Sequence, residues 1–134
     1  MSTSLDARAP ESADITRVSF EEGDAMNLRK DLGSFDRVHA ANLICRLPEP
    51  LKLLERLPEL VVPGGELVLA TPATWLASFT PTENWPEGRT RDWLVEQLSD
   101  AFELTKELEE PFLIRETARK FQWSRSLLTV WKRC

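Results

Sequence analysis

Cysteine is nearly absent from this sequence: there are two in 134 residues, Cys45 inside an apolar stretch and Cys134 at the last position. This excludes a disulfide framework and any cysteine-based metal spacing, and it points to a reducing, cytoplasmic setting. Glycine is also scarce, with five residues at 23, 33, 64, 65 and 88 and no Gly-x-Gly arrangement after an N-terminal strand. Basic charge is not in excess either. The net charge is −5 and the sequence pI about 5.0, so no basic patch invites nucleic acid or an anionic membrane surface. No apolar run approaches the roughly 20 residues of a membrane helix, and the polar opening MSTSLDARAPESAD lacks the apolar core of a signal peptide.

What is present is enough for one domain. Apolar residues make up 42% of the chain, and five Trp and six Phe supply bulk for a moderate core. Residues 1–14 show no periodicity and read as a mobile tail, leaving residues 15–134 as the folded part. Ile15, Val18 and Phe20 suggest a short strand closing at Gly23-Asp24. Phe35 to Ala40 reads as a second strand, after which Pro48, Pro50 and the spacing of Leu51, Leu54 and Leu57 predict a helix. Val61-Val62-Pro63-Gly64-Gly65 breaks that helix, and Glu66 to Thr71 is apolar and β-branched enough for a central strand. Strand, helix and strand at this spacing form a βαβ unit.

A long Pro-, Thr- and Trp-containing loop, Pro72 to Gly88, precedes a helix over about Thr90 to Leu98. Phe102 to Glu109 alternates as a strand, PFLIRETARKFQW reads as a loop or short helix, and Leu127 to Trp131 is a last strand that pairs antiparallel with its predecessor. The fold class is therefore α/β. In open α/β sheets ligands sit beyond the carboxyl ends of the strands. Those ends are Gly23-Asp24-Ala25, Ala40-Ala41-Asn42 and Ala70-Thr71-Pro72. Small residues there admit a ligand to the backbone, and Asp24 and Asn42 add hydrogen-bonding groups, a combination suited to a nucleoside.

The ordered series GDA, FDRVHAANLICRLPEP and PGGELVLATP resembles the later half of the class I S-adenosylmethionine-dependent methyltransferases. The resemblance implies a partial Rossmann-like sheet without its first two strands, and S-adenosylmethionine as cofactor. It further implies that Asp24 takes the adenine amino group, Ala25 presents a backbone amide, and Ala41 and Asn42 line the pocket. From Phe35 onward, NLICRLPEP, TPATWLASFTPTENW, PFLIRETARKFQW and TVWKR are similar to the mercaptohistidine N-methyltransferase domains of ovothiol biosynthesis. That closer likeness implies a small histidine-derived substrate methylated on an imidazole nitrogen.

In this family a glycine-rich loop and a strand ending in an acidic residue precede the matched part, and neither occurs here. The family's sheet order, 3-2-1-4-5-7-6, would then leave the Phe35 strand as an exposed apolar edge, open to a second copy or a partner chain. Arg115, Glu116 and Arg119, with Lys120, have the chemistry to hold an amino acid's carboxylate and amine, or they form a solvated face. Trp75, Trp85 and Trp123 are either stacking walls for an imidazole or core. Asp24 is equally a turn residue and Asn42 a helix cap. His39 reads as packed or surface rather than catalytic, and Cys45 as a small buried hydrophobe. No catalytic residue stands out, because transfer from a sulfonium needs alignment more than acid or base chemistry.

Overall fold

The computed structural model describes residue 6 and residues 8–134; the rest of the expected mobile tail lies outside the described residues. Four strands and two helices follow one another as β1 (Phe35–Ala41), α1 (Pro50–Leu60), β2 (Val61–Thr71), α2 (Thr90–Leu98), β3 (Phe102–Arg115) and β4 (Phe121–Arg133). The sheet order is β1-β2-β4-β3, with β1 and β2 parallel and β4 antiparallel to both its neighbours. The α/β class and the antiparallel final pair agree with the sequence reading.

Period-2 alternation decides which face of the sheet is dry. Leu67, Leu69 and Thr71 of β2 are buried and stand beside Val38 and Ala40 of β1 and Trp131 and Thr129 of β4. Against that face pack Leu53, Leu54, Leu57 and Leu60 of α1 and Trp93, Leu94 and Leu98 of α2. Pro50 opens α1, where its fixed φ suits the first turn and its missing N–H costs nothing. Leu51, expected on the apolar side, is exposed; the inward stripe runs through Leu53 and Leu60 instead.

Gly65 lets β1 and β2 meet. A Cβ there would lie 2.8 Å from the Asp36 carbonyl oxygen and 2.9 Å from that of Val62, so only glycine fits the close approach. The Val61-Val62-Pro63-Gly64-Gly65 segment therefore ends the helix, as expected, but belongs to β2 rather than to a turn before it.

Two further expectations are corrected. Ile15 to Phe20 is not a strand: Ile15–Arg17 forms a single 3-10 turn capped by the Asp14 carboxylate, and Phe20 is 94% exposed. A strand must place its N–H and C=O groups in a ladder, and among the described residues no strand pairs with this segment to receive them. PFLIRETARKFQW is neither loop nor helix. Its two arms continue β3 and β4 in register, from Pro111 opposite Arg125 to Arg115 opposite Phe121, and the Glu116 N–H donates to the Lys120 carbonyl (2.9 Å) to close the turn. The charges at the tip mask an alternation that only the partner arm makes visible.

Candidate functional site

β1 and β2 point their carboxyl ends to the same side, and both ends leave ordinary backbone space there. Asn42 has φ 54° and Ala73 has φ 52°, the two non-glycine residues with positive φ among the described residues. Asn visits this left-handed region at small cost, whereas Ala must be held there by its surroundings. The Asn42 N–H donates to the Ala70 carbonyl (2.7 Å) and its Oδ1 accepts from the Ser126 hydroxyl (3.0 Å). Beside it, the Ala73 N–H donates to the Thr71 hydroxyl oxygen (3.1 Å).

After Asn42 a 3-10 turn, Ile44–Arg46, buries Ile44 and Cys45 and turns Arg46 toward the end of β2. There Arg46 Nη1 donates to the Thr74 carbonyl (2.6 Å) and the Cys45 carbonyl (3.1 Å), and Nη2 donates to Thr74 Oγ1 (3.2 Å). The guanidinium lies 5.1 Å from the centre of the Phe79 ring. The outer arms of β3 and β4 close the site: Phe112 opposite Ser124 and Ile114 opposite Gln122 share one face of the hairpin. With Asn42, Arg46, Pro72 and Thr74 they line a cavity of about 210 Å³.

A second cavity, about 320 Å³, runs along the free border of β1, with walls that include Ala25, Leu28, Leu32, Val38, Leu43 and Leu57. Ala25 therefore lies on the β1 border while Asn42 belongs to the smaller cavity beyond it. Asp24 is exposed, and its Oδ1 accepts from the Met26 N–H (2.9 Å) as a turn cap does. Ala41 ends β1 opposite Ala70.

The residues expected at a substrate subsite do not converge. Trp75 is half-buried against Trp93, edge to face at 5.8 Å, with its indole N–H on the Thr90 hydroxyl (3.0 Å). Trp85 donates to the Thr80 carbonyl (2.8 Å). Arg115, Glu116 and Arg119 sit together at the hairpin tip, where Arg115 covers the Phe121 ring and donates to the Thr117 carbonyl (3.1 Å), and Glu116 pairs with Lys120. Leu113, Trp123, Arg115 and Phe121 occupy the hairpin face opposite the one that lines the cavity, and Trp123 is 65% exposed. The cavity's cation is Arg46, which sequence reasoning passed over. One signal marked it: it is the single basic residue between His39 and Lys52, in an otherwise apolar stretch.

These residues meet part of what S-adenosylmethionine requires. The small and apolar walls at Ala25, Ala40 and Leu43 leave room for a flat ring, but neither the Asp24 carboxylate nor Asn42 lines that cavity. The methionine end needs a backbone cradle at a strand's carboxyl end, and the Gly64-Gly65 pair is at the opposite end of β2, spent on the contact with Asp36. Among the described residues no group of His, Cys, Asp and Glu gathers that could hold a metal ion, and no helix is long and apolar enough to cross a membrane.

Solved structures share this architecture. The fold is methyltransferase-like. An enzyme described for the conversion of a disulfide bond into a thioacetal group during echinomycin biosynthesis superposes with a TM-score of 0.61 at 17% identity, over 85% of this chain and 55% of that one. A protein of Bacillus halodurans C-125 provisionally named a methyltransferase gives a TM-score of 0.55 at 16% identity, over 83% of this chain and 69% of that one. The chain thus spans about half the length of the first. No protein-family model matches the sequence, and no curated protein matches it. At these identities the likeness is one of fold.

Proposed function

We propose that this chain is a methyltransferase-like domain that presents a small acceptor molecule to S-adenosylmethionine, with N-methylation of a mercaptohistidine as the specific reaction. The observation that carries the reading is the cavity at the carboxyl ends of β1 and β2, flanked by the left-handed Asn42 and Ala73, in a chain that superposes on its structural neighbours over more than four fifths of its length. Strained backbone concentrates at working sites because it must be maintained by its surroundings. In this reading Asp24, Ala25 and Ala41 serve the adenosine end of the cofactor, Asn42 stands where that end meets the acceptor cavity, and Trp75, Arg115, Glu116 and Arg119, which do not line the cavity, are not its substrate contacts.

Bound S-adenosylmethionine supplies an activated methyl group on a sulfonium. The chain's own task is to fix an acceptor nitrogen in line and keep water away. Phe112, Ile114 and Pro72 give the cavity apolar walls, and Asn42, Gln122 and Ser124 give it hydrogen-bonding groups that orient a polar ring.

The test is a pair of amide correlation spectra of the ¹⁵N-labelled chain without and with S-adenosylhomocysteine, followed by mass spectrometry of mercaptohistidine incubated with the chain and S-adenosylmethionine. Shifts at Asp24, Ala41 and Asn42 and a gain of one methyl on the acceptor are expected. Unmoved spectra and an unmodified acceptor would overturn the reading.

A second reading is favoured by the bare border of β1: the chain is a non-catalytic domain that pairs with a second copy. A two-fold axis would set two β1 strands antiparallel and cover Phe35, which is 43% exposed, together with the apolar cavity at Leu28, Leu32 and Val38. Light scattering coupled to size exclusion would show twice the chain mass. A monomer across the micromolar range would rule this pairing out.

A further inference from the structure

The cavity beside Asn42 has a chemical bias that the methyltransferase-like fold does not by itself explain. The chain holds 22 acidic residues, yet none of the eight residues lining this cavity is acidic. Its one charged group is the Arg46 guanidinium. Most other arginines with structured surroundings are neutralised: Arg29 by Glu21 and Asp31, Arg37 by Glu66, Arg56 by Glu59, Arg91 by Asp92 and Glu107, Arg125 by Glu109. Arg46 has no carboxylate within ion-pair distance among the described residues, and it is half-buried, so the missing partner is not simply replaced by bulk water. Its contacts with two carbonyls, the Thr74 hydroxyl and the Phe79 ring hold the fork in one place without cancelling its charge.

The neighbours repeat the bias. Asn42 Oδ1 is taken by Ser126, which leaves the Asn42 amide nitrogen as a donor. The Thr74 hydroxyl oxygen accepts from Arg46, so its own proton is available to another acceptor. A fixed cation with two neutral donors calls for a ligand with two acceptor oxygens in a plane. The volume, about 210 Å³, is below the usual range of roughly 300 to 1,000 Å³ for larger ligands and suits a molecule of amino-acid size. Phe112, Ile114 and Pro72 then offer apolar wall to its body.

We propose that this cavity is a binding site for a small carboxylic acid with a flat, partly apolar body, and that Arg46 is the residue that selects the carboxylate. The inference builds on the acceptor site proposed above for its choice of probe, but it requires no bound cofactor. It assigns to Arg46 the carboxylate-holding role that the sequence pattern suggested for Arg115 and Arg119, because Arg46 lines the cavity while Arg115 lies on the hairpin's other face.

The test is an amide NMR titration of the full chain with histidine, with histidinamide, which exchanges only the carboxylate for a carboxamide, and with inorganic phosphate. Histidine should shift Asn42, Thr74, Phe112 and Gln122, and histidinamide should bind about tenfold more weakly, the scale of a charged hydrogen bond. In Arg46→Gln the two should bind alike, with Arg46→Lys in between. Because Arg46 also braces Thr74, a second variant, Ile114→Trp, fills the cavity from the exposed hairpin and should abolish the shifts with the fold intact.

Equal binding of acid and amide to the native chain, no binding of either, or shifts confined to the hairpin tip would overturn the proposal. Phosphate moving the same amides as strongly as histidine would do so too, by showing an unselective anion site. Histidine binding with no response to S-adenosylhomocysteine would keep this inference and remove the methyltransferase reading.

Discussion

The sheet has two free borders, and they are built differently. β3 is 14 residues long and carries Glu103, Lys106, Glu107, Glu109, Glu110 and Pro111. Charges and proline along an outer strand discourage another chain from adding to it. β1 is seven residues long, and beside it lies an apolar cavity walled by Leu28, Leu32, Phe35 and Val38. The β3 border is made to stay in water, whereas the β1 border retains the composition of a strand that is covered. Residues 24–32 cover it only in part, through half-buried Ala25, Met26, Leu28 and Leu32 packed at the margin of the core.

The contrast can be broken most forcefully at Gly65. Gly65→Val would push a side chain into the Asp36 carbonyl, 2.8 Å from the first added carbon, and prise β1 from β2. A loss of about 3 kcal/mol in urea unfolding is expected. A loss near zero would mean that β1 is held mainly by α1.

Exchanging the character of the borders is the next largest effect. Phe35→Glu with His39→Glu puts like charges opposite one another in a two-fold β1 pairing and should weaken any dimer at least about tenfold, read by sedimentation. Removing Glu107 and Glu109 by substitution with Val should make the β3 border newly adhesive. If neither pair of changes alters the oligomeric state, the composition of the two borders does not govern association.

The smallest effect concerns the segment beside β1. The Arg29 guanidinium, hydrogen-bonded to Asp31, holds the Asp31 carboxyl below its ordinary value of 3.8. A carboxyl with a lowered folded pKa stabilises the fold above its unfolded pKa, and that contribution disappears as pH falls through the folded value. Both groups are solvent-exposed, so the effect on stability is slight. A carbon-detected titration should place the Asp31 midpoint below the ordinary aspartate range and return it there in Arg29→Gln. An unchanged midpoint would show that the pair does not persist in solution.

Local pattern was enough for much of this molecule. The run from Glu66 to Thr71 is too apolar and β-branched for anything but an inner strand, and Trp93, Leu94 and Leu98 are spaced for a helix that begins at Thr90, as it does. The order of strands and helix predicts a parallel pair, because the helix between them gives the crossover that parallel neighbours need. The failures share one cause. Ile15 to Phe20 has strand composition but no pairing neighbour among the described residues, and the Pro111 to Trp123 arms have charged composition but a neighbour in register. A strand is a property of two segments, so composition alone misjudged both.

The site divides along the same line. The carboxyl ends at Ala41-Asn42 and Thr71-Pro72 were legible because strand ends follow from the strands themselves. The cavity was not, since its walls come from four separate stretches, Asn42 to Arg46, Pro72 to Thr74, Phe112 to Ile114 and Gln122 to Ser124. The sequence by itself determined the α/β class, the central β2 strand and the helix break before Gly64-Gly65, all consequences of short-range spacing. Only the tertiary structure decided that a hairpin arm comes beside Asn42 and that Arg46, rather than the arginines of the hairpin tip, lines the cavity, because both depend on pairing between residues up to 84 positions apart.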